Sequence, residues 1–266
     1  MPHTKHSVGG LVVRILVCVK RVPAPGSRIN VTADGLAVDT AFLGFTTSPH
    51  EECAVEAAVQ LAEAHGGQTT VLTIGPPEAE EQLRYAVSVG VDAATLVTTD
   101  GSDWDPQRTA RAIVDAIREA EADAAFDLIL FGNESADSGG FQVGVRVARA
   151  LGRPVVNGAK SLSIADGVAR VERESDGGRV AFELPLPAVV GVKEGINLPR
   201  YPTMKGRLAS KKVAVTVAES AAPPGGQRLV SLEAPAEQVS ATTVLGQGPD
   251  AAAAVVDLLV EIGVVT

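Results

Sequence analysis

The run Gly132–Gly144, GNESADSGGFQVG, is the stretch best suited to hold an anion. Glycines let backbone N–H groups approach a ligand closely, and a helix that starts just beyond them offers its positive end. Ser138 and Gln142 add side chains able to hydrogen-bond phosphate oxygens. Asp137 is itself an anion and suits a turn or a helix cap. The run has no Gly-Lys-Ser/Thr ending, and no GxGxxG follows the first apolar strand, so neither common phosphate-loop signature applies. The same residues also make a tight strand-to-helix turn with no ligand, and local sequence leaves both readings open.

Bond-making chemistry has few candidates. His3 and His6 lie in the polar start and His65 ends a helix. His50 stands near a helix start with no Ser or Cys nucleophile in a recognisable pattern beside it, and a polar capping role suits it better than a general base. Glu172, Glu174 and Asp176 could form an acid–base pair, but they read more simply as a solvated hairpin. Cys18 and Cys53 are in no CxxC pair, and too few ligands accompany them for a metal site. They read as buried, reduced thiols of a cytoplasmic protein.

The elements that must position these residues alternate. Among 266 residues, 45% are hydrophobic but only 3% aromatic, so Val, Ala, Leu and Ile fill the core. Val and Ile favour strands, Ala and Leu helices. Val12–Val19 reads as a strand apolar on both faces. Lys20–Thr47 is a long Gly-, Pro- and Asp-containing connection. Pro49 then opens a helix with Glu51 and Glu52 in its first turn, where carboxylates suit the positive end. Strands at Thr69–Ile74 and Ala94–Thr98 flank a helix at Glu78–Val89. Asp105 caps a helix running to about Ala122, with Pro106 at its first position. Strand Asp127–Phe131 leads into the Gly-rich run and a helix from about Phe141 to Leu151.

This order predicts an α/β fold, a doubly wound and mostly parallel sheet. Ligands of such sheets bind beyond the carboxyl ends of the strands. After Pro154 the pattern changes to short alternating strands separated by Asp-Gly turns, an antiparallel hairpin insertion. A strand at Ala188–Val192, a polar loop at Lys193–Lys212 and a last strand at Val213–Val217 follow. Residues 1–13 read as a disordered leader, 14–217 as the α/β domain, nucleotide-binding if the Gly-rich run holds an anion, and 218–266 as a linker with a C-terminal arm helix at about 251–262. Val255, Leu258, Leu259 and Ile262 share one side of that helix. The net charge of −9 disfavours non-specific nucleic-acid binding, and no apolar stretch has the length of a membrane span.

Several separated motifs resemble the β subunit of electron transfer flavoproteins, a family that includes the nitrogen-fixation electron-transfer proteins. They are Arg14–Pro23 (RILVCVKRVP), Glu52–Val59 (ECAVEAAV), Val171–Glu174 followed by Asp176-Gly177-Gly178, and Leu186–Val189 with Asn197 and Pro199–Pro202, closed by Lys211-Lys212. The resemblance covers about Arg14–Val217. It implies a fold similar to the adenine nucleotide alpha hydrolases. It also implies a heterodimer with an FAD-carrying α subunit, AMP held in this chain, and FAD at the interface. Carried over by position, the AMP site comprises Cys18, Ser48, Pro49, His50, Glu51, Ile74, Gly75, Asp137, Ser138, Gly139, Gly140, Phe141, Gln142, Val143 and Gly144. Glu174 matches a carboxylate near the flavin. Ile196, Asn197, Pro199, Arg200 and Tyr201 match the loop that docks dehydrogenases, with Ile196 as the apolar plug. Electrons would pass from dehydrogenases to a membrane quinone reductase or another acceptor, with no bond-making catalysis in this chain. Leu198 departs from the family, which often has Glu there, and Pro25 stands where some members have an aromatic residue. Bifurcating members hold a second FAD in place of AMP, and Gln142-Val143-Gly144 is similar to theirs. A free-standing AMP- or ATP-binding stress-type module is a further alternative, but that class ends after the first domain.

Overall fold

The computed structural model describes residues 12–102, 104–235 and 242–265. Two compact units divide the chain after Leu232. Of the predicted leader only Val12 and Val13 are described, and Val13 is buried.

In the first unit, β1 (Arg14–Cys18) enters the core at once. The connection after it holds four two-residue strands, β2 (Val22–Pro23), β3 (Asn30–Val31), β4 (Val38–Asp39) and β5 (Phe45–Thr46), with β2 paired to β5 and β3 to β4. Then come α1 (Pro49–His65), β6 (Gln68–Gly75), α2 (Glu80–Ser88), β7 (Ala93–Thr98), α3 (Pro106–Ala120), β8 (Leu128–Gly132) and α4 (Val143–Leu151). The hairpin region is β9 (Val155–Ala165), β10 (Val168–Ser175) and β11 (Gly178–Pro185). It is followed by β12 (Ala188–Val192), α5 (Met204–Ser210) and β13 (Val215–Glu219).

Among the described residues nine strands form one sheet, in the order β11-β10-β9-β12-β8-β1-β6-β7-β13. All pairings are parallel except β10 with its two neighbours. Side chains of β1 alternate between two cores, as strand geometry requires. Ile15 and Val17 pack with α1 and α2, while Leu16 and Cys18 pack with α3 and α4. Helices thus cover both faces, and the doubly wound expectation holds. After β7 the chain crosses β1 and β6 to lay β8 on the other side of β1. The switch of direction therefore falls between β1 and β8, where such folds open a ligand crevice.

Local chemistry sets the helix ends. Ser48 and Glu51 form a reciprocal capping box at α1, and Gly66 closes it in the left-handed region at φ 72°. Asp105 caps α3 through the N–H groups of Gln107 and Arg108. Its other carboxylate oxygen accepts from Gly225 N–H at 2.8 Å, while Arg108 Nε donates to Ala222 O at 3.1 Å and its guanidinium lies over Trp104. The chain after β13 is thereby strapped to the start of α3.

Two expectations need correction. The loop Lys193–Lys212 contains a helix, α5, capped by Thr203 Oγ1. It packs against α2 closely enough that a Cβ on Gly206 would lie 2.1 Å from Ser88 O. The first hairpin strand starts at Val155 rather than Ala159. Its first residues pair in parallel with β12, and a register shift next to Gly158 releases it to pair antiparallel with β10.

In the second unit, α6 (Ala252–Glu261) follows a short 3-10 turn, and Val255, Val256, Leu258, Val260 and Ile262 are exposed.

Candidate nucleotide crevice and docking loop

The crevice forms where β1 and β8 end side by side, Cys18 opposite Phe131. Gly132 lets α1 approach. A Cβ there would sit 2.7 Å from Glu51 Cγ and 3.2 Å from His50 Cβ. Gly144 plays the same part beneath α4, where a Cβ would meet the Phe131 ring at 3.2 Å.

The predicted site residues from three segments meet here. Lys20 Nζ binds Asp137 Oδ2 at 2.5 Å, joining the end of β1 to the Gly-rich turn. Asp137 also accepts from Ser138 N–H at 2.8 Å, so it is a turn residue and not a cap of α4. Ser138 Oγ and Ser135 Oγ are 2.8 Å apart. Gly139 (φ 52°) and Phe141 (φ 53°) both adopt the left-handed region, an unfavourable place for a bulky residue. Gln142 stands at the cap position of α4 without a side-chain bond to its first turn, and accepts instead from Arg146 at 3.0 and 3.2 Å. The first amides of α4, from Val143 on, are thus left without a side-chain acceptor, unlike those of α1 and α3. Gly140 has open space where a Cβ would be. Ile74 and Gly75 end β6, the strand on the other side of β1.

Burial dominates the titration of the crevice. Glu51 is enclosed, and desolvation pushes its carboxyl up to about 8 against the lowering effect of hydrogen bonds from Ser48 and Lys20. The sequence places Glu51 as a charge at the positive helix end, but here it acts as a hydrogen-bond acceptor for Ser48 N–H at 3.0 Å. Cys18 is held as a thiol, first by burial and then by Glu51. Cys53 is likewise buried and free.

His50 is not a cap, because Ser48 has that role. Its Nε2 lies 3.3 Å from Glu134 Oε1, and its Nδ1 accepts from Glu194 N–H at 2.8 Å.

Glu174 stands apart from the crevice, exposed on β10 with Lys193 Nζ at 3.6 Å. The docking-loop residues lie along α1. Asn197 Nδ2 donates to Cys53 O at 2.9 Å. Arg200 engages Glu56 through Nε (2.9 Å) and Nη2 (3.0 Å), and Glu63 through Nη1 (2.7 Å) and Nη2 (3.1 Å). All its guanidinium nitrogens are used internally, so Arg200 staples the loop. Pro199 lines a small cavity between α1 and α2 together with Val55, Gln82 and Tyr85. Ile196 packs partly buried against the core, whereas Leu198 and Tyr201 are each 89% exposed. Arg146 was missed as a crevice residue, while Lys20 and Glu134 lay in segments read as crevice-forming but were not named as site residues. A cation directly after the first strand was the one readable signal among them.

The fold is a doubly wound α/β domain with a crevice at the β1/β8 switch of its sheet. Among the described residues no cluster of three or more metal-binding side chains occurs, and no helix is long and apolar enough to cross a membrane. The electron transfer flavoprotein domain matches residues 36–223. The chain is 36% identical over 224 residues to the electron transfer flavoprotein subunit beta of Syntrophomonas wolfei, covering 84% of this chain and 86% of that one. It is 36% identical to the Bacillus subtilis protein of the same name (75% and 76% covered), and 32% identical to Protein FixA of Azorhizobium caulinodans (77% and 74%). The chain belongs to the electron transfer flavoprotein β-subunit family, and its role is electron transfer.

Proposed function

We propose that this chain holds AMP in the β1/β8 crevice and pairs with an FAD-carrying α subunit to move electrons from dehydrogenases to a quinone reductase or another acceptor. The uncapped start of α4 beside a glycine-lined turn supports this reading most directly, because an anion there takes up amide donors that no side chain uses. The crevice residues fit an adenylate. Lys20 and Arg146 bring positive charge near the turn, and Gly139 and Gly140 keep its backbone open to a phosphate. Cys18, Ser48–Glu51, Ile74, Gly75 and Asp137–Gly144 would line the nucleotide. FAD supplies the redox chemistry when bound. Glu174, exposed on β10, would face the flavin at the interface. The loop from Ile196 to Tyr201 would dock the dehydrogenase.

In such a carrier the residues of this chain bind, orient and exclude water; none moves an electron. Lys20 neutralises Asp137, which would otherwise repel phosphate. Ser48 and Glu51 hold the start of α1 against Gly132 and close the crevice wall. The test is co-purification with the neighbouring subunit, followed by nucleotide extraction. One AMP and one FAD per heterodimer are expected. Two FAD and no AMP would replace this reading with electron bifurcation. A folded, functional chain free of any adenine compound would end it. Stripping AMP should lower the melting temperature and leave the flavin reducible.

A further inference from the structure

We propose that His50 is a positioning residue that couples the crevice to the docking loop, its ring hydrogen-bonded at Nδ1 by the first peptide of the loop and set at Nε2 3.3 Å from Glu134 of the Gly-rich turn. The proposal rests on the nucleotide reading above. An Nδ1 that accepts from Glu194 N–H carries no proton, so the ring N–H resides at Nε2, facing Glu134 Oε1. Residue Glu194 is held through both of its peptide groups, because Lys160 Nζ donates to its carbonyl at 2.7 Å. From there the loop follows one stripe of α1. His50 holds Glu194, Cys53 holds Asn197, and Glu56 and Glu63 hold Arg200. The spacing 50, 53, 56, 63 keeps these contacts on one helical face. The same helix supplies the crevice wall at Ser48–Glu51. A ligand that orders the turn carrying Glu134 therefore fixes the His50 ring, and the ring fixes the root of the loop. By linkage, a partner that orders the loop tightens the crevice by the same factor.

Hydrogen exchange tests this directly, since the Glu194 amide itself makes the hydrogen bond to the ring. The full chain is purified with any companion subunit that travels with it, stripped of nucleotide, and compared with and without saturating AMP. In the unaltered protein AMP should slow exchange across residues 194–197 by about tenfold. His50→Phe removes the bond to Glu194 and the contact with Glu134, and should leave the loop fast and indifferent to AMP. His50→Asn places a carboxamide oxygen near the Nδ1 position, so it should keep the slow baseline but lose the AMP response. His50→Gln reaches only toward Glu134 and should show a fast baseline. Protection of β8 and β12 in each variant confirms that the core is intact. If His50→Phe fails to fold, the Asn and Gln pair carries the comparison. AMP binding that leaves residues 194–197 unchanged, or an equal response in the variants, overturns the coupling alone. Failure of AMP to bind the unaltered protein removes the nucleotide reading and the coupling with it.

Discussion

Glu51 carries the clearest pH signature. Its folded carboxyl titrates at about 8 against an unfolded value near 4.5. Between these the folded state holds the extra proton, so this group's stabilisation is full below about pH 4.5 and is lost as pH rises through 8. Glu51→Gln keeps an oxygen for Ser48 N–H but cannot ionise. Its unfolding free energy from urea melts should gain on that of the unaltered protein as pH goes from 5 to 9, by on the order of a few kcal/mol. A constant difference across that range would contradict the assignment. The Arg200 cluster separates two kinds of ion pair. Glu56 is 3% exposed, and its acceptors are taken by Arg200 and by Gln60 Nε2. Glu63 is exposed. Arg200→Ala leaves Glu56 buried with its charge unpaired and should cost about 2–4 kcal/mol in denaturation experiments. Glu63→Gln should cost less than about 1 kcal/mol. Arg200→Lys should recover only part of the loss, because an ammonium cannot form the paired bonds. None of this was readable from sequence. Glu56 and Arg200 are 144 residues apart, and only the fold brings them together.

At the scale of elements, sequence reading succeeded where periodicity and capping agreed. The strand at Ala188–Val192 and the start of α3 at Pro106 match the structure to the residue, and α1 begins at Pro49 as read. It failed where elements are too short for a period to show. The four two-residue strands after β1 carry no alternation, and α5 is seven residues with a glycine in its middle. Thr203 at its cap was the available signal. The Gly-rich run was legible as a strand-to-helix turn, but not the uncapped state of α4, which depends on where the Gln142 side chain goes. Two glycines set the spacing between elements. Gly132→Ala should push the start of α1 off β8 and cost about 1–3 kcal/mol, with weaker AMP binding by calorimetry. Gly206→Ala should detach α5 from α2, read as faster exchange across residues 203–210 with the sheet still protected.

For the whole molecule, the division after Leu232 makes a truncation informative. A chain ending at 232 should keep a cooperative melt close to that of the full protein, because both described cores lie within the first unit. It should also lose the companion subunit on gel filtration, since α6 presents exposed Val255, Leu258 and Ile262 that suit a partner. A full-strength complex from the truncated chain would show that α6 is dispensable for assembly. The doubly wound sheet was legible because both cores are built from alternating strand residues of Val, Ile and Leu. The strap over α3 was not, because residues 221–248 show no apolar period.

That strap makes the protein its own optical gauge. Trp104 is the single tryptophan. It lies beneath Arg108, whose Nε holds the carbonyl of Ala222. Release of the segment after β13 frees the guanidinium from one anchor and changes what the indole senses. Emission excited at the red edge of protein absorption therefore reads a single tether, uncontaminated by other indoles, in an unlabelled sample.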